Sequence, residues 1–122
     1  MPKGDDALEK RLTRFREIKI TVTGRQSGRA ISIPVWFVLD KDNLYLLPVH
    51  GSDTQWYKNV LHNPSIRIDA RGAAGDFRVV PITDDKQVGA VVEKFRDKYG
   101  AGDVKKYYSK LDVAVIASLE QT

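Results

Sequence analysis

The feature that most constrains the fold of this chain is a change in the spacing of its apolar residues near residue 17. Up to residue 16 the apolar residues recur at helical spacing, and Asp6 stands where a helix cap is expected. From Ile18 onward apolar and polar residues alternate, as in Ile18, Ile20 and Val22, which is typical of a strand with one buried face. A chain that begins as a helix and then alternates over much of its length is expected to be an α+β protein.

The alternating segments and the turns between them predict six strands and four helices. The expected strands are 18–23, 31–39, 44–49, 65–71, 76–82 and 113–119, and the expected helices are 6–16, 54–61, 84–99 and 103–110. Ser52 or Asp53 is expected to cap the second helix, Thr83 to cap the third, and Gly100 to close it. Strands and helices do not alternate regularly, as a parallel sheet would require. The expected architecture is therefore a mostly antiparallel six-stranded barrel with flanking helices.

Composition and charge exclude several classes of protein. The chain has 122 residues, which suits a single domain spanning 1–122, with 1–6 expected to be a frayed tail. It has no apolar run of about 18 residues to cross a membrane and no apolar secretory segment after Met1, so a cytoplasmic location is expected. Cysteine is absent and two histidines alone cannot form a zinc site, so no metal site is expected. The net charge of +4 comes from basic residues dispersed among acids, which favours solubility over nucleic-acid binding.

A basic glycine turn at 24–28 is the first candidate for ligand binding. Arg25 and Arg29 flank Gln26-Ser27-Gly28, and two guanidinium groups, a hydroxyl and free backbone N–H groups could together hold an anion. The alternative is an ordinary hairpin turn that happens to be basic. Taken alone, this element favours the alternative.

The loop His50-Gly51-Ser52-Asp53 is the second candidate. It precedes a short helix, so its N–H groups could hold a phosphate or a ring carbonyl, with Gly51 allowing close approach. The alternative is that Ser52 or Asp53 simply caps the helix. The two interpretations are about equally supported.

Four aromatic residues could shape a site for a flat ligand. Trp56 is expected to pack in the core, while Asn59 on the same helix could hydrogen-bond a ring edge. Trp36 would either cover a cofactor ring or lie in a subunit interface. Tyr107 and Tyr108 could line a substrate pocket and donate a proton or hydrogen bond, or could pack on the barrel. No Ser-His-Asp, HExxH, P-loop or GxGxxG pattern is present, so any catalysis would depend on a bound cofactor.

Taken together, these segments resemble a known family. Thr21-Val22-Thr23-Gly24-Arg25-Gln26-Ser27-Gly28-Arg29, then Pro34-Val35, Gly51-Ser52, Trp56-Tyr57-Lys58-Asn59-Val60 and Asn63-Pro64 resemble the deazaflavin-dependent nitroreductase family. Members of that family are small split β-barrels, related in fold to pyridoxamine phosphate oxidase and to FMN-binding barrels. The resemblance is good over 18–71 and extends to the remainder only in the order of its elements.

The resemblance implies a split barrel, expected to form a homodimer, that binds coenzyme F-420 or a related flavin such as FMN. It implies an oxidoreductase that transfers a hydride to a small unsaturated or nitro-type acceptor. The alternatives are an FMN-binding split barrel and a flavin- or haem-binding module without turnover. The implied catalytic residues are Tyr107 and Tyr108. The resemblance and the candidate turn and aromatic residues described above together give the expected cofactor-binding residues: Arg25, Ser27, Gly28, Arg29, Pro34, Trp36, Pro48, Val49, His50, Gly51, Ser52, Trp56 and Asn59. Of these, Arg29 and Trp36 come from the residues themselves and not from the family pattern.

The chain also departs from the family pattern at three basic positions. The family usually has a lysine where Gln26 stands, a basic residue near Ile31, and a lysine-bearing glycine loop where this chain has His50-Gly51-Ser52. Each lost charge-assisted hydrogen bond costs on the order of 1.5–3 kcal/mol. These departures predict weaker binding of a long anionic cofactor, offset in part by Arg29.

Overall fold

The computed structural model describes residues 10 and 12–119. The expected tail at 1–6 and residues 6–9 and 11 of the expected helix at 6–16 lie outside the described residues. Residues 10 and 12 are helical, and the chain turns at 13–14, so the helix ends earlier than expected. In the described part, the chain forms the strands β1 (Glu17–Thr23), β2 (Ala30–Trp36), β3 (Val38–Asp40), β4 (Asn43–Leu46), β5 (Ser65–Ala70), β6 (Ala73–Ile82) and β7 (Ala114–Ser118). The helices are α1 (Gln55–His62), α2 (Asp85–Tyr99) and α3 (Ala101–Tyr107), with a 3-10 turn at Gly51–Asp53.

The seven strands form one curled antiparallel sheet in the order β2-β1-β5-β6-β7-β4-β3. The strands at the two ends, β2 and β3, are separated in sequence only by Phe37. One continuous stretch of chain therefore reaches both ends of the sheet, which must curl for this to be possible. The arrangement confirms the expected α+β fold and is consistent with a split barrel.

The expected strand 31–39 differs from the structure because it is divided at Phe37, which gives seven strands instead of six. The Phe37 N–H lies 3.1 Å from the Tyr99 hydroxyl, and the Phe37 carbonyl accepts a hydrogen bond from Lys98 at 2.8 Å. Two side chains at the end of α2 thus satisfy the backbone groups of the bend. Alternation alone could not reveal the bend, because the apolar pattern continues through it.

The core has two parts. One lies against the inner face of the sheet and includes the fully buried Ile20, Ile68 and Leu44. The other lies under α2, whose buried stripe confirms the predicted one: Val88, Val91, Val92, Phe95 and Tyr99. The helix therefore packs onto the sheet through a periodic apolar face.

Both predicted N-terminal caps are wrong. Asp84, not Thr83, caps α2, since its carboxylate accepts a hydrogen bond from the Gln87 N–H at 3.1 Å. Thr54 is the N-cap residue of α1 and makes no side-chain capping bond, while Ser52 and Asp53 lie in the preceding 3-10 turn. The expected close at Gly100 is confirmed, with φ +97° at that residue.

Several element bounds shift by a few residues. The strand expected at 44–49 ends at Leu46, and β6 begins at Ala73 because the glycine turn is shorter than 72–75. The last helix runs over Ala101–Tyr107 instead of 103–110. Among the described helices, none combines the length and the apolar character that crossing a membrane would require.

Candidate functional site

An open groove of about 520 Å³ lies beside the end of β2. Its walls are mostly apolar and aromatic, and both tryptophans of the chain are among them. Of the residues expected to bind a ligand or to act in catalysis, the groove brings together Pro34, Trp36, Val49, Trp56, Tyr107 and Tyr108. Residues from β2, the segment after β4, α1 and the end of α3 therefore converge on one surface, as a site for a flat apolar ligand requires.

Trp36 belongs to a cluster of stacked and edge-on rings at one side of this groove. Its ring stacks on Tyr99 with the centroids 4.2 Å apart, and Tyr107 lies edge-on to it at 5.4 Å. Tyr108 lies at 6.1 Å from both Trp36 and Phe95. Such rings hold one another in fixed orientations. Trp36 is therefore positioned by its neighbours and needs no ligand to order it.

Tyr108 and Tyr107 differ in their surroundings. Tyr108 is 6% exposed and lines the groove, yet its hydroxyl has no hydrogen-bond partner among residues 10 and 12–119. Burial, with a smaller contribution from Tyr99, raises the pKa of Tyr108. Tyr107 is 51% exposed at the rim. A buried hydroxyl without a partner is uncommon in folded proteins, so this one is available to a ligand in the groove.

The basic turn at 24–28 is joined to α1 by its arginine. The Arg25 guanidinium donates hydrogen bonds to the Asn59 side-chain oxygen at 2.8 Å and to the Gln55 side-chain oxygen at 2.9 Å. The Arg25 N–H donates to the same Asn59 oxygen at 3.1 Å. Arg25 and Asn59, both expected to contact a cofactor, thus contact each other.

The remaining residues of the turn are on the surface. The Ser27 hydroxyl accepts a hydrogen bond from the Arg29 N–H at 3.1 Å, and Gly28 has φ +71°. The Arg29 side chain is exposed and makes no ion pair with any described residue. The turn does not line the groove.

The loop 50–53 is held by a carboxylate that the sequence analysis missed. Asp112 accepts hydrogen bonds from the Ser52 N–H at 2.9 Å and from the Ser52 hydroxyl at 2.6 Å. Burial is the largest single influence on the pKa of Asp112, and it raises that pKa. The hydrogen bonds from Ser52 act in the opposite direction, and the net result is a pKa below the ordinary value. A Cβ atom on Gly51 would lie 2.1 Å from an Asp112 oxygen. The N–H and hydroxyl expected to hold a ligand anion therefore already hold one from the chain itself.

His50 is tied to the segment after Tyr108. Its Nδ1 lies 2.8 Å from the Ser109 hydroxyl, and that hydroxyl lies 3.3 Å from the Val49 carbonyl. Pro48, two residues before His50, is buried, and its carbonyl accepts a hydrogen bond from the Gly51 N–H. His50 itself is exposed and adjoins the groove through Val49, so its second ring nitrogen is the one left for a ligand.

The sequence analysis also missed the cations around the ring cluster. The Arg16 guanidinium lies 4.9 Å and the Lys98 amine 5.1 Å from the centroid of the Tyr99 ring. Burial, with a smaller repulsion from Arg16, lowers the pKa of Lys98 to about 8. Arg16 and Lys98 are 82 positions apart, and nothing in the pattern of either segment indicates that they meet.

The fold of this chain is similar to that of several solved structures. One is an F420-H2-dependent reductase, with a TM-score of 0.66 and 18% identity, covering 84% of this chain and 94% of that one. A second is HutZ, the heme storage protein from Vibrio cholerae, with a TM-score of 0.70 and 14% identity, covering 99% and 93%. A third is a putative pyridoxamine 5'-phosphate oxidase from Listeria innocua, with a TM-score of 0.68 and 14% identity, covering 97% and 94%.

At these identities the similarities show the fold alone, which is the one that the resemblance implied, and they do not show membership of the deazaflavin-dependent nitroreductase family. No curated protein matches the chain in sequence. A family sequence model, by contrast, matches residues 9–116, nearly the whole chain. The chain belongs to that family, DUF2255, described as uncharacterized protein conserved in bacteria.

Proposed function

We propose that this protein is a cytoplasmic oxidoreductase that binds coenzyme F-420 or a related flavin in the groove and transfers a hydride to a small unsaturated or nitro-type acceptor. The observation that carries the proposal is the buried Tyr108 hydroxyl without a partner in the described structure, in the wall of an aromatic groove. The similarity in fold to an F420-H2-dependent reductase and to a putative pyridoxamine 5'-phosphate oxidase supports a flavin-type ligand.

The walls of the groove fit the ring of such a cofactor. Trp36 and Trp56 offer flat apolar surfaces, and Pro34, from an edge strand, adds a rigid one. Glu17 is the only charged residue among the described ones in the lining. A planar ring of low charge is therefore the part of a ligand that this surface favours.

The protein's own residues would orient the reactants. The bound cofactor supplies the hydride. Because its pKa is raised, Tyr108 stays protonated at neutral pH, so its hydroxyl donates a hydrogen bond to an oxygen of the ligand. Tyr107, edge-on to Trp36 at the rim, limits the positions open to the acceptor. Trp36 and Trp56 keep water from the ring face.

A haem-binding module without turnover is a second candidate. His50 is next to Val49 in the groove wall, and its Nδ1 is engaged by Ser109, so the other nitrogen is placed to ligate a metal. The similarity in fold to the heme storage protein HutZ agrees with this candidate. Haem binding would produce a strong visible absorption band that is lost in His50→Ala.

We further propose that the protein is a homodimer joined through β2. This strand pairs only with β1 among the described strands, so its outer edge is free. Ile31 on it is 39% exposed, and Ile33 and Val35 are half-buried. Because a free apolar edge invites pairing, a second copy of this chain is the expected partner. A molecular mass of one chain at micromolar concentration in solution would refute this.

The test of function is a fluorescence titration of the purified protein with coenzyme F-420 and, separately, with FMN. Both tryptophans line the groove, so their emission should fall as either ligand binds there. Tight binding of F-420 alone supports the deazaflavin oxidoreductase, and a preference for FMN supports an FMN-binding barrel. Binding of neither would refute the proposal. Tyr108→Phe should weaken binding with little effect on folding, and Tyr45→Phe, at a half-buried position outside the groove lining, is the matched control.

A further inference from the structure

The cations near the groove gather at the ring cluster and not at the predicted basic turn. Arg16 and Lys98 both lie over the Tyr99 ring, and the Lys106 amine lies 5.4 Å from the centroid of the Tyr107 ring. Tyr99 and Tyr107 in turn both contact Trp36, which lines the groove. Three positive charges therefore lie next to the rings that pack on Trp36, although none of the three cations lines the groove itself.

None of these cations is neutralised by an ion pair within the described part of the chain. The acids that do form ion pairs take other cations: Arg67, Lys94, Arg96 and Lys110. Glu17 is the acid near the cluster, since its charge acts on the Tyr99 hydroxyl, but it makes no ion pair with Arg16 or Lys98. Counting the described residues alone, the charge around the cluster is therefore net positive.

Lys98 is the least favourably placed of the three. It is half-buried, its amine donates to a neutral acceptor, the Phe37 carbonyl, at 2.8 Å, and it lies 3.6 Å from the centroid of the Phe37 ring. The carbonyl accepts a hydrogen bond without balancing the charge. Burial and the nearby Arg16 together lower the pKa of Lys98 to about 8. A bound anion at this point would balance the charge of Lys98 and raise its pKa.

The basic turn offers less to an anion than its sequence suggests. The guanidinium of Arg25 already donates to Asn59 and Gln55. Arg29 makes no ion pair with any described residue, and it lies outside the groove lining, as Arg16 and Lys98 do. Unlike those two cations, Arg29 contacts no described aromatic ring that packs on Trp36. The turn 24–28 and the cations at the ring cluster are thus two alternative positions for the acidic part of a ligand whose ring lies in the groove.

We infer that Arg16 and Lys98 form the subsite for an acidic group, a phosphate or carboxylate, of the ligand whose ring occupies the groove. The inference rests on the proposed function, because it needs a ring-bearing ligand there. It fixes the direction of that ligand: the acidic tail lies on the Trp36 and Tyr99 side, away from the turn 24–28. Lys106 adds long-range attraction but is too exposed to hold the group alone.

The experiment compares FMN with riboflavin, which share a ring and differ by one phosphate. The second pair is F-420 and its deazariboflavin core, which share a ring and differ by the whole acidic tail. Tryptophan emission gives the dissociation constant for each. The wild-type protein should bind the acidic member of at least one pair about tenfold more tightly than the neutral one. Arg16→Gln and Lys98→Met should each remove most of that preference and leave the neutral ligand unchanged.

Two further variants separate the subsite from a general effect of charge. Lys86→Met removes an exposed charge on α2 that makes no ion pair with any described residue, and it should leave the preference intact. Arg29→Gln tests the turn directly. If Arg29→Gln removes the preference while Arg16→Gln and Lys98→Met do not, the inference is overturned.

A direct titration covers the case in which Lys98→Met does not fold. The pKa of the Lys98 amine, followed by NMR in the wild-type protein, should rise when the acidic ligand binds and not when the neutral one binds. An unchanged value with the acidic ligand bound would overturn the inference while leaving the proposed function standing. Binding of none of the four ligands would overturn the proposed function, and the inference with it.

Discussion

The polar turns and the aromatic groove differ in whether their hydrogen-bond donors already have partners within the chain. At the turns, two of the donor residues that looked available in the sequence are occupied by the chain: Arg25 by Asn59, and Ser52 by Asp112. In the groove, the Tyr108 hydroxyl has no such partner among the described residues. A binding site is therefore better recognised by donors left without a partner than by the number of donors present.

The largest effect that would sharpen this comparison is expected from Gly51→Ala. Residue 51 has φ +55°, and a Cβ there would meet an Asp112 oxygen at 2.1 Å, so the substitution both strains the backbone and displaces the carboxylate from Ser52. The free energy of unfolding should fall by about 2–4 kcal/mol, measured by urea denaturation. Gly28→Ala is the control, since φ is +71° there but nothing lies within 4 Å. Equal losses in the two variants would show that Asp112 is not held closely by the loop.

Two tyrosines of the ring cluster allow a second comparison. The Tyr99 hydroxyl lies 3.1 Å from the Phe37 N–H and donates to the Arg16 carbonyl at 2.6 Å. Tyr99→Phe should therefore lower the free energy of unfolding by about 2 kcal/mol, because buried backbone groups lose their partner. Tyr108→Phe should change it by less than about 0.5 kcal/mol. A large loss from Tyr108→Phe would mean that its hydroxyl serves the fold, and would remove the main support for the groove as a ligand site.

The turn itself is tested by Arg25→Gln. Because Arg25 bonds both Gln55 and Asn59 on α1, its loss should lower the free energy of unfolding by about 1–2 kcal/mol. Arg29→Gln should lie within about 0.5 kcal/mol of the wild type. If Arg25→Gln keeps full stability and loses only ligand affinity, the arginine is a binding residue after all and the contrast drawn here fails.

The last comparison is a pH dependence from Lys98, whose size solvent screening reduces because the residue is half-buried. Its pKa is about 8 in the folded protein against an ordinary 10.5, so between these values the unfolded chain holds a proton that the folded one lacks. Stability relative to Lys98→Met should therefore rise as the pH increases from 8 to 10.5 and stay level below 8. Chemical denaturation of both proteins at several pH values measures the difference. A fall over this interval would contradict the placement of the amine.

The sequence predicted much of the fold because apolar periodicity reports burial directly. The stripe of α2 and the alternation in β1 and β5 were readable for this reason. The bend at Phe37 was not, since it depends on Tyr99 and Lys98, which are over 60 positions away. The helix caps failed for a related reason: several polar residues could serve, and small differences in the approach of the chain decide between them.

The candidate site was predictable in its aromatic members and not in its charged ones. Large aromatic residues stand out in a sequence as candidates for lining a ligand site, and the groove does bring Trp36, Tyr107 and Tyr108 together. The partners of Arg25 and Ser52 lie 30 or more positions away, and a single sequence does not indicate such pairings. Whether the residues of the turn and of the loop contact a cofactor stays a prediction.

The place of β7 in the sheet also sets the order in which this protein can assemble. It lies between β6 and β4, so residues 114–118 join the two strands that carry Val79–Ile82 and Asn43–Leu46. Until that late segment arrives, each of those strands has an open edge, and a nascent or truncated chain exposes both. Completion of the barrel must wait for the late synthesis of β7, so a chain cut before Ala114 is expected to present two unpaired strand edges to chaperones and proteases instead of folding as a smaller domain.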